Sequence, residues 1–264
     1  MNQTLQRKRA FISDMDGVIY HGDHLLPGAV EFVRYLKEHD RQFLFLTNSS
    51  ERTPRELSEK LRRLGVDVGE EHFYTSALAT AEFLAKQKPA CSAFVIGEAG
   101  LYNALYEQGI TMNDTNPDYV VMGETRTYSY ERIEKACSLV FKGAKLIGTN
   151  PDMTGPTERG IVPATGSLIA PIEMTTGTKA YFVGKPNPFM MRRAVKRLNA
   201  TSRDTVIIGD RMDTDIIAGI EAEVDTVLVL SGVTTPENML QFAYRLGIIL
   251  KDLAELTTLL SRQD

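Results

Sequence analysis

The sequence has few cysteines, no long apolar run and no block of basic residues. No apolar run approaches the roughly 20 residues of a membrane-spanning helix, and the stretch after Met1–Arg9 is too short for a signal-peptide core, so we expect a cytoplasmic protein with no membrane partner. The only cysteines, Cys91 and Cys137, form no C-x-x-C motif and indicate reduced thiols. With 30 basic and 34 acidic residues the formal charge is −4, which argues against a nucleic acid polymer as partner.

What the sequence does contain is a regular alternation of short apolar runs and amphipathic stretches. The 264 residues are 43% apolar and 24% charged, which is typical of a folded protein of one large domain or two smaller ones. Apolar runs predict strands at Ala10–Ser13, Phe43–Leu46, Ala93–Ile96, Tyr119–Met122, Lys145–Ile147, Tyr181–Val183, Thr205–Ile208 and Thr226–Leu230. Amphipathic stretches predict helices at Pro27–His39, Ser76–Lys86, Leu101–Gln108, Tyr130–Lys142, Ser167–Thr176, Pro188–Leu198, Asp213–Ala222 and Pro236–Arg245. Such alternation predicts an α/β fold with a mostly parallel sheet and helices on both of its faces.

One further helix has a clear start and stop. Thr53 is placed as its N-cap, Pro54 as its first residue and Glu56 as the second half of a capping box. Gly65 is placed to end it.

Polar residues follow the apolar runs at four places, which are Asp14–Gly17, Thr47–Ser49, Lys185 and Asp210–Asp215. The carboxyl ends of parallel strands lie at one edge of a sheet, and ligands of open α/β sheets bind there. We therefore expect these distant segments to meet in space.

The chemistry of this set favours a divalent cation and a phosphate. Clustered carboxylates repel one another unless a cation lies among them, and hard oxygen ligands suit Mg²⁺. A lysine and a threonine hydroxyl add donors for phosphate, and the absence of histidine and cysteine from the set argues against zinc. Taken alone, an Asp just after a strand is most often a turn residue or a helix N-cap, and Asp213 and Asp215 also fit a helix first turn. It is the coincidence of four segments that favours a functional site.

Other phosphate and cation motifs do not fit. A P-loop requires G-x-x-x-x-G-K-[ST], whereas Pro186 follows Lys185 here, and no G-x-G-x-x-G occurs. The segment after Asp14 lacks the later acidic ligands of an EF-hand loop.

At these residues the chain resembles the haloacid dehalogenase superfamily of phosphohydrolases. The family pattern D-x-D-x-[TV], a Ser/Thr, a Lys and G-D-x-x-x-x-D matches Asp14–Val18, Thr47, Lys185 and Asp210–Asp215 in order. Further segments are similar to the NagD-like subfamily of subclass IIA, namely Leu46–Asn48, Thr149–Asp152, Gly166–Leu168 and Val183–Pro186. The resemblance covers nearly the whole chain.

The resemblance implies a fold and a domain organisation. It implies a Rossmann-like, doubly wound parallel-sheet core, formed by residues 1–78 and 182–264, with an inserted α/β C2-type cap domain at 79–181. The cap excludes water and selects the substrate in this family, and Asn150–Glu158 is our candidate for its specificity loop. An ordinary surface turn is an equal alternative for that loop.

The resemblance also assigns the reacting residues. Asp14 is implied as the nucleophile that forms an aspartyl-phosphate, and Asp16 as the general acid and base. Mg²⁺ is implied to bind Asp14, the Asp16 backbone carbonyl and Asp210.

Thr47, the Asn48 backbone and Lys185 are implied to bind the phosphate oxygens. Asp215 is implied to orient Lys185 or a metal-bound water. Asp213 has a weaker claim because the family spacing from Asp210 selects Asp215.

The implied activity is Mg²⁺-dependent hydrolysis of small phosphomonoesters, either nucleoside 5'-monophosphates of the UMP kind or sugar phosphates. Two alternatives stay open. A receiver-like phospho-acceptor protein also clusters acids, a hydroxyl and Lys–Pro around Mg²⁺, but a receiver is about half this length. A phosphotransferase or mutase on the same fold is the other alternative. The oligomeric state is open as well, with a homo-oligomer among the expected states.

Overall fold

The computed structural model describes residues 5–157, 160–244 and 247–262. Its strands are β1 Ala10–Ser13, β2 Tyr20–His21, β3 His24–Leu25, β4 Gln42–Thr47, β5 Phe73–Thr75, β6 Ser92–Ile96, β7 Thr111–Met112, β8 Tyr119–Met122, β9 Lys145–Gly148, β10 Thr154–Thr157, β11 Gly160–Pro163, β12 Tyr181–Phe182, β13 Thr205–Gly209, β14 Asp225–Val229 and β15 Ile248–Leu250. Its α-helices are α1 Ala29–Glu38, α2 Pro54–Arg63, α3 Ser76–Gln87, α4 Ala99–Glu107, α5 Tyr130–Phe141, α6 Thr165–Thr176, α7 Pro188–Arg197, α8 Ile217–Glu221 and α9 Leu253–Ser261. Within the described ranges, every helix is too short or too polar to span a bilayer.

The chain divides into two compact units. The first consists of residues 1–47, 57–74 and 185–264, and the second of residues 48–56 and 75–184. The segment 48–56, which directly follows β4, therefore belongs to the second unit. The assignment of a catalytic core to 1–78 and 182–264 and of a cap to 79–181 stays a prediction.

The first unit contains a sheet with the strand order β15-β14-β13-β1-β4-β5. β1 runs parallel to β13 on one side and to β4 on the other, with Ser13 opposite both Ile208 and Phe45. All four residues of β1 are buried, as expected for a strand covered by helices on both faces. The chain order reverses at β1, which is where doubly wound sheets bind their ligands. The predicted fold class is confirmed.

The helices of this unit form for local reasons that the sequence shows. α1 buries Phe32, Val33 and Leu36 along one face, in the same apolar core as the central strands. α2 belongs to the first unit from Leu57 onward. It starts within the segment 48–56 of the second unit with the predicted capping box, in which Glu56 N–H donates to Thr53 Oγ1 at 3.2 Å and Thr53 N–H donates to Glu56 Oε2 at 2.8 Å.

The second unit contains a parallel sheet with the strand order β12-β9-β8-β6-β7. Its own apolar core lies between the sheet and helices α5 and α6. β10 and β11 form a separate antiparallel hairpin. The candidate loop Asn150–Glu158 is therefore partly the strand Thr154–Thr157, and Glu158 lies outside the described residues.

The end of the chain departs from the prediction. The described part of the predicted helix Pro236–Arg245 contains only a short 3₁₀ turn at Asn238–Gln241, and Arg245 lies outside the described residues. β15 and α9 were not predicted, although Asp252 is a recognisable N-cap whose side chain accepts the Glu255 N–H at 3.0 Å. The predicted helix Asp213–Ala222 begins instead as a π-helical turn, Met212–Ile216, before α8.

Candidate active site

Strand ends place three of the expected residues along one edge of the first unit's sheet. Asp14 directly follows β1, Asp210 directly follows β13, and Thr47 is the last residue of β4. The parallel register brings these ends level, because Ser13 pairs with both Ile208 and Phe45. Asp215 lies in the π-helical turn after Asp210, and Lys185 shortly precedes α7.

Lys185 is the centre of the site. Its ammonium donates to Asp215 Oδ1 at 2.6 Å, to Asp14 Oδ1 at 2.7 Å and to the Leu46 carbonyl at 3.0 Å. The residue is only 1% exposed. Burial alone would lower the pKa of this ammonium, but the charges of Asp14 and Asp215 and their hydrogen bonds raise it above its ordinary value. Lys185 is therefore a fixed positive charge that joins two carboxylates.

Three carboxylates crowd this position. Oxygens of Asp14, Asp210 and Asp215 lie within 4.8 Å of one another. Burial, together with the charges of Asp14 and Asp215, raises the pKa of Asp210 well above its ordinary range. Burial and the Asp14 charge raise the pKa of Asp215 to about 6, against the opposing effect of Lys185. One ammonium thus balances only part of the negative charge.

This donor set fits a hard divalent cation. Asp210 Oδ2 accepts the Val233 N–H at 2.7 Å, whereas its buried Oδ1 accepts no hydrogen bond from the described residues. A buried carboxylate oxygen without a donor is costly unless a cation coordinates it. Carboxylate oxygens without nitrogen or sulfur ligands suit Mg²⁺ or a similar ion better than zinc.

Two glycines form a tight frame around Asp210. A Cβ on Gly17 would lie 2.5 Å from Asp210 Oδ2, and a Cβ on Gly232 would lie closer still. Gly17 also has φ +79°, which disfavours other residues. Sequence reasoning missed the segment Ser231–Val233, although it follows β14 and therefore lies at another strand end.

Asp16 lies apart from these carboxylates. Its side chain is 45% exposed, and its Oδ1 is 3.5 Å from His21 Nδ1. Burial raises the pKa of its carboxyl, with smaller opposing effects from His21 and Lys60. A carboxyl that titrates above its ordinary range is closer to what a general acid requires.

The structure separates Asp213 from the cluster. Both of its oxygens accept hydrogen bonds from Arg211, at 3.0 Å from Nε and 2.8 Å from Nη2. Asp213 is thus held by a guanidinium at an exposed position.

Asn48 is the first residue of the second unit, and a buried polar network holds it there. Its carbonyl accepts hydrogen bonds from Ser76 Oγ and, at 2.8 Å, from Asn150 Nδ2. Its side-chain amide donates to Asp152 Oδ2 at 2.9 Å. The segment 150–152 therefore fixes the conformation of Asn48.

Sequence reasoning also missed Glu124, which holds Ser50, two residues after Asn48, by hydrogen bonds. Ser50 N–H donates to Glu124 Oε2 at 3.2 Å, and Glu124 N–H donates to Ser50 Oγ at 3.1 Å. Burial raises the pKa of the Glu124 carboxyl to about 7, and the charges of Glu51 and Asp152 add to the rise. Glu124 immediately follows Gly123 after β8, so its place at a strand end was the available signal.

Two family models match the chain. The model of haloacid dehalogenase-like hydrolases matches residues 11–111, and an HAD-hydrolase-like model matches residues 182–256. These ranges contain every candidate residue of the catalytic set.

Individual proteins are similar over nearly the whole chain. The dihydroxyacetone phosphatase of Corynebacterium glutamicum is 46% identical, over 94% of this chain and 90% of that protein. The ribonucleotide monophosphatase NagD of Escherichia coli is 42% identical, over 93% of this chain and 96% of that protein. Among solved structures, a 4-nitrophenylphosphatase of Thermotoga maritima is 37% identical, covers 98% of this chain and 99% of its own, and superposes with a TM-score of 0.93.

The Glu124 carboxyl predicts a pH-dependent stability. Since its folded-state pKa is raised from about 4.5 to about 7, the folded state binds more protons than the unfolded state between these values, and stability falls as pH rises through this window. The free energy of unfolding of Glu124→Gln, minus that of the wild type, should therefore increase by roughly 2–3 kcal/mol between pH 5 and pH 8. Urea unfolding at both pH values measures this, and an unchanged difference between the two proteins would contradict it.

Proposed function

Because the chain belongs to the haloacid dehalogenase-like hydrolases and is a phosphatase of their NagD-like branch, we propose that it hydrolyses small phosphomonoesters through an aspartyl-phosphate formed on Asp14. The observation that supports this most directly is the buried ammonium of Lys185, 2.7 Å from Asp14 Oδ1, within a cluster of three carboxylates at the sheet edge.

Two half-reactions follow from these groups. In the first, an Asp14 carboxylate oxygen bonds to phosphorus, the bond from phosphorus to the leaving oxygen breaks, and Asp16 donates its proton to the leaving alcohol. In the second, a water gives a proton to Asp16 and its oxygen bonds to phosphorus, which releases phosphate and restores the Asp14 carboxylate. After the second half-reaction, Asp14 is again a carboxylate and Asp16 is again protonated.

Lys185 supports the first half-reaction electrostatically. Its ammonium holds Asp14 in one orientation, and it balances negative charge where a phosphate dianion would approach. Asp215 in turn fixes the ammonium from the other side at 2.6 Å. Thr47 is proposed to donate a hydrogen bond from its hydroxyl to the phosphate. Phosphate binding by the Asn48 backbone stays a prediction.

The acidic cluster suits a metal ion, and phosphatases of this family depend on one. We assign Mg²⁺ to Asp14, Asp210 and the Asp16 backbone carbonyl. When bound, the ion supplies positive charge that reduces the repulsion between a carboxylate nucleophile and a phosphate dianion. Asp210 Oδ1, which has no hydrogen-bond partner among the described residues, supports this assignment.

The names of the relatives also narrow the phosphomonoesters that this chain is proposed to hydrolyse. The relatives above are named a dihydroxyacetone phosphatase and a ribonucleotide monophosphatase, so we propose nucleoside 5'-monophosphates or sugar phosphates as substrates of this chain. The second unit would act as the cap that excludes water and selects the leaving group. A cytoplasmic location is proposed as well, supported by two unpaired cysteines. Because these relatives are phosphatases along almost their full length, the receiver and mutase alternatives are not retained.

Asp14→Asn should reduce turnover of p-nitrophenyl phosphate by about 10³-fold or more, because an amide oxygen is a poor nucleophile. Asp213→Asn is the matched control, since Asp213 pairs only with Arg211 among the contacts described above, and it should keep turnover within about threefold. Circular dichroism verifies that both variants fold. Turnover of Asp14→Asn within tenfold of the wild type would refute the nucleophile assignment.

Asp16→Asn should show a dependence on the leaving group. Loss of a general acid should lower kcat/KM for an alkyl phosphate by roughly 10²-fold or more, and for p-nitrophenyl phosphate much less, because nitrophenolate leaves without a proton. The comparison uses kcat/KM because this parameter excludes hydrolysis of the aspartyl-phosphate, in which Asp16 also takes part. Equal losses on both esters would argue against the acid role.

Metal removal should abolish turnover, and Mg²⁺ should restore it. Mg²⁺ should also raise the melting temperature of the wild type, since a ligand that binds only the folded state stabilises it. This rise should be much smaller in Asp210→Asn and unchanged in Asp213→Asn. Full turnover in excess EDTA, or an equal rise in Asp210→Asn, would contradict the proposed site.

A further inference from the structure

Lys60 is a buried cation that the mechanism above does not use. It lies on α2 between Leu57 and Leu61, on the face that packs into the core of the first unit, and it is only 8% exposed. Lysine is rarely buried unless its charge is compensated. Its partners should therefore reveal why it is there.

The partners of Lys60 form the turn of one hairpin. β2 and β3 pair antiparallel, and Gly22 and Asp23 connect them. The Lys60 ammonium donates to the Gly22 carbonyl at 2.7 Å, lies 3.6 Å from Asp23 Oδ1 and sits 3.9 Å from the centre of the Tyr20 ring. A carbonyl, a carboxylate and an aromatic face are all favourable to a cation. Lys60 thus ties α2 to the hairpin.

The same hairpin fixes the residues around Asp16. Gly17 N–H donates to the Tyr20 carbonyl at 2.8 Å, and Tyr20 N–H donates to the Met15 carbonyl at 3.2 Å. Hydrogen bonds from the hairpin therefore reach the neighbours of Asp16 on both sides. His21 of β2 adds the contact to the Asp16 carboxyl at 3.5 Å. A displacement of the hairpin would consequently displace this carboxyl.

Within the part of the chain that the structure describes, Asp16 Oδ1 has no hydrogen-bond partner. The Asp16 side chain is 45% exposed, in contrast to the buried Asp215 and Asp210, which have firm hydrogen bonds. A general acid must lie within hydrogen-bond reach of the leaving oxygen, and misplacement by about 1 Å is costly. The position of Asp16 therefore depends on the hairpin.

We propose that Lys60 is a positioning residue for the general acid: its ammonium anchors the hairpin β2–β3 and thereby holds the Asp16 carboxyl where it can protonate the leaving group. This inference rests on the proposed function of Asp16. It predicts a specific kinetic effect: loss of Lys60 should slow the hydrolysis of only those substrates whose leaving group needs a proton.

The test compares Lys60→Met with the wild type on an alkyl phosphate and on p-nitrophenyl phosphate. The ratio of the two kcat/KM values, alkyl over nitrophenyl, should fall at least about tenfold in Lys60→Met. Lys60→Arg should restore the ratio to within about threefold, because a guanidinium also donates to a carbonyl and stacks on a ring. Lys86→Met is the matched control, since Lys86 is an exposed helix lysine paired with Glu82, and it should leave the ratio unchanged.

A merely structural role would lower both values together and leave their ratio intact. In the Asp16→Asn background, Lys60→Met should change the ratio by less than about twofold, because the group that it positions is already lost. If Asp16→Asn lowers the ratio and Lys60→Met does not, this inference is wrong while the proposed function stands. If Asp16→Asn itself leaves the ratio unchanged, both are wrong. Should Lys60→Met fail to fold, Lys60→Gln is measured against the same criterion.

Discussion

The ion pairs of one buried lysine are the interaction on which the candidate site depends. Lys185 joins Asp14 after the central strand to Asp215 in the turn after β13, so a single ammonium fixes two elements that are distant in sequence. Buried charges are costly unless they are paired and hydrogen-bonded. Because three carboxylates share the space with one ammonium, the site retains negative charge and is suited to a further cation.

This crowding is possible because of the backbone around it. The parallel register of β1 with β13 brings Asp14 and Asp210 level, and Gly17 and Gly232 allow the chain to approach Asp210 more closely than any side chain would permit. Asp210 Oδ1, which accepts no hydrogen bond from the described residues, is buried within this tight frame. The fold thus stabilises an arrangement that would be unfavourable in an open loop.

The two units hold their candidate residues in different ways. In the first, the candidate nucleophile Asp14 accepts a hydrogen bond from Lys185, whereas the half-exposed Asp16 contacts His21 of the hairpin that Lys60 binds. In the second, Glu124 and Asn150 form a buried polar network around Asn48 and Ser50. Such networks specify one conformation when their members are satisfied.

The sequence by itself predicted the alternation of strands and helices, the capping box at Thr53 and a set of candidate site residues, because apolar periodicity and local motifs act over a few neighbouring positions. It failed at 236–244, where an amphipathic pattern did not form an α-helix, and at short strands such as β7 and β15, which depend on pairing with strands outside their own segment. Only the tertiary structure decided that Asp14 and Asp215 share one ammonium beside Asp210, that Glu124 pairs with Ser50 and that Lys60 binds the turn at Gly22. These are contacts between residues far apart in the chain, and they form only when the sheet register and the packing of α2 bring their elements together.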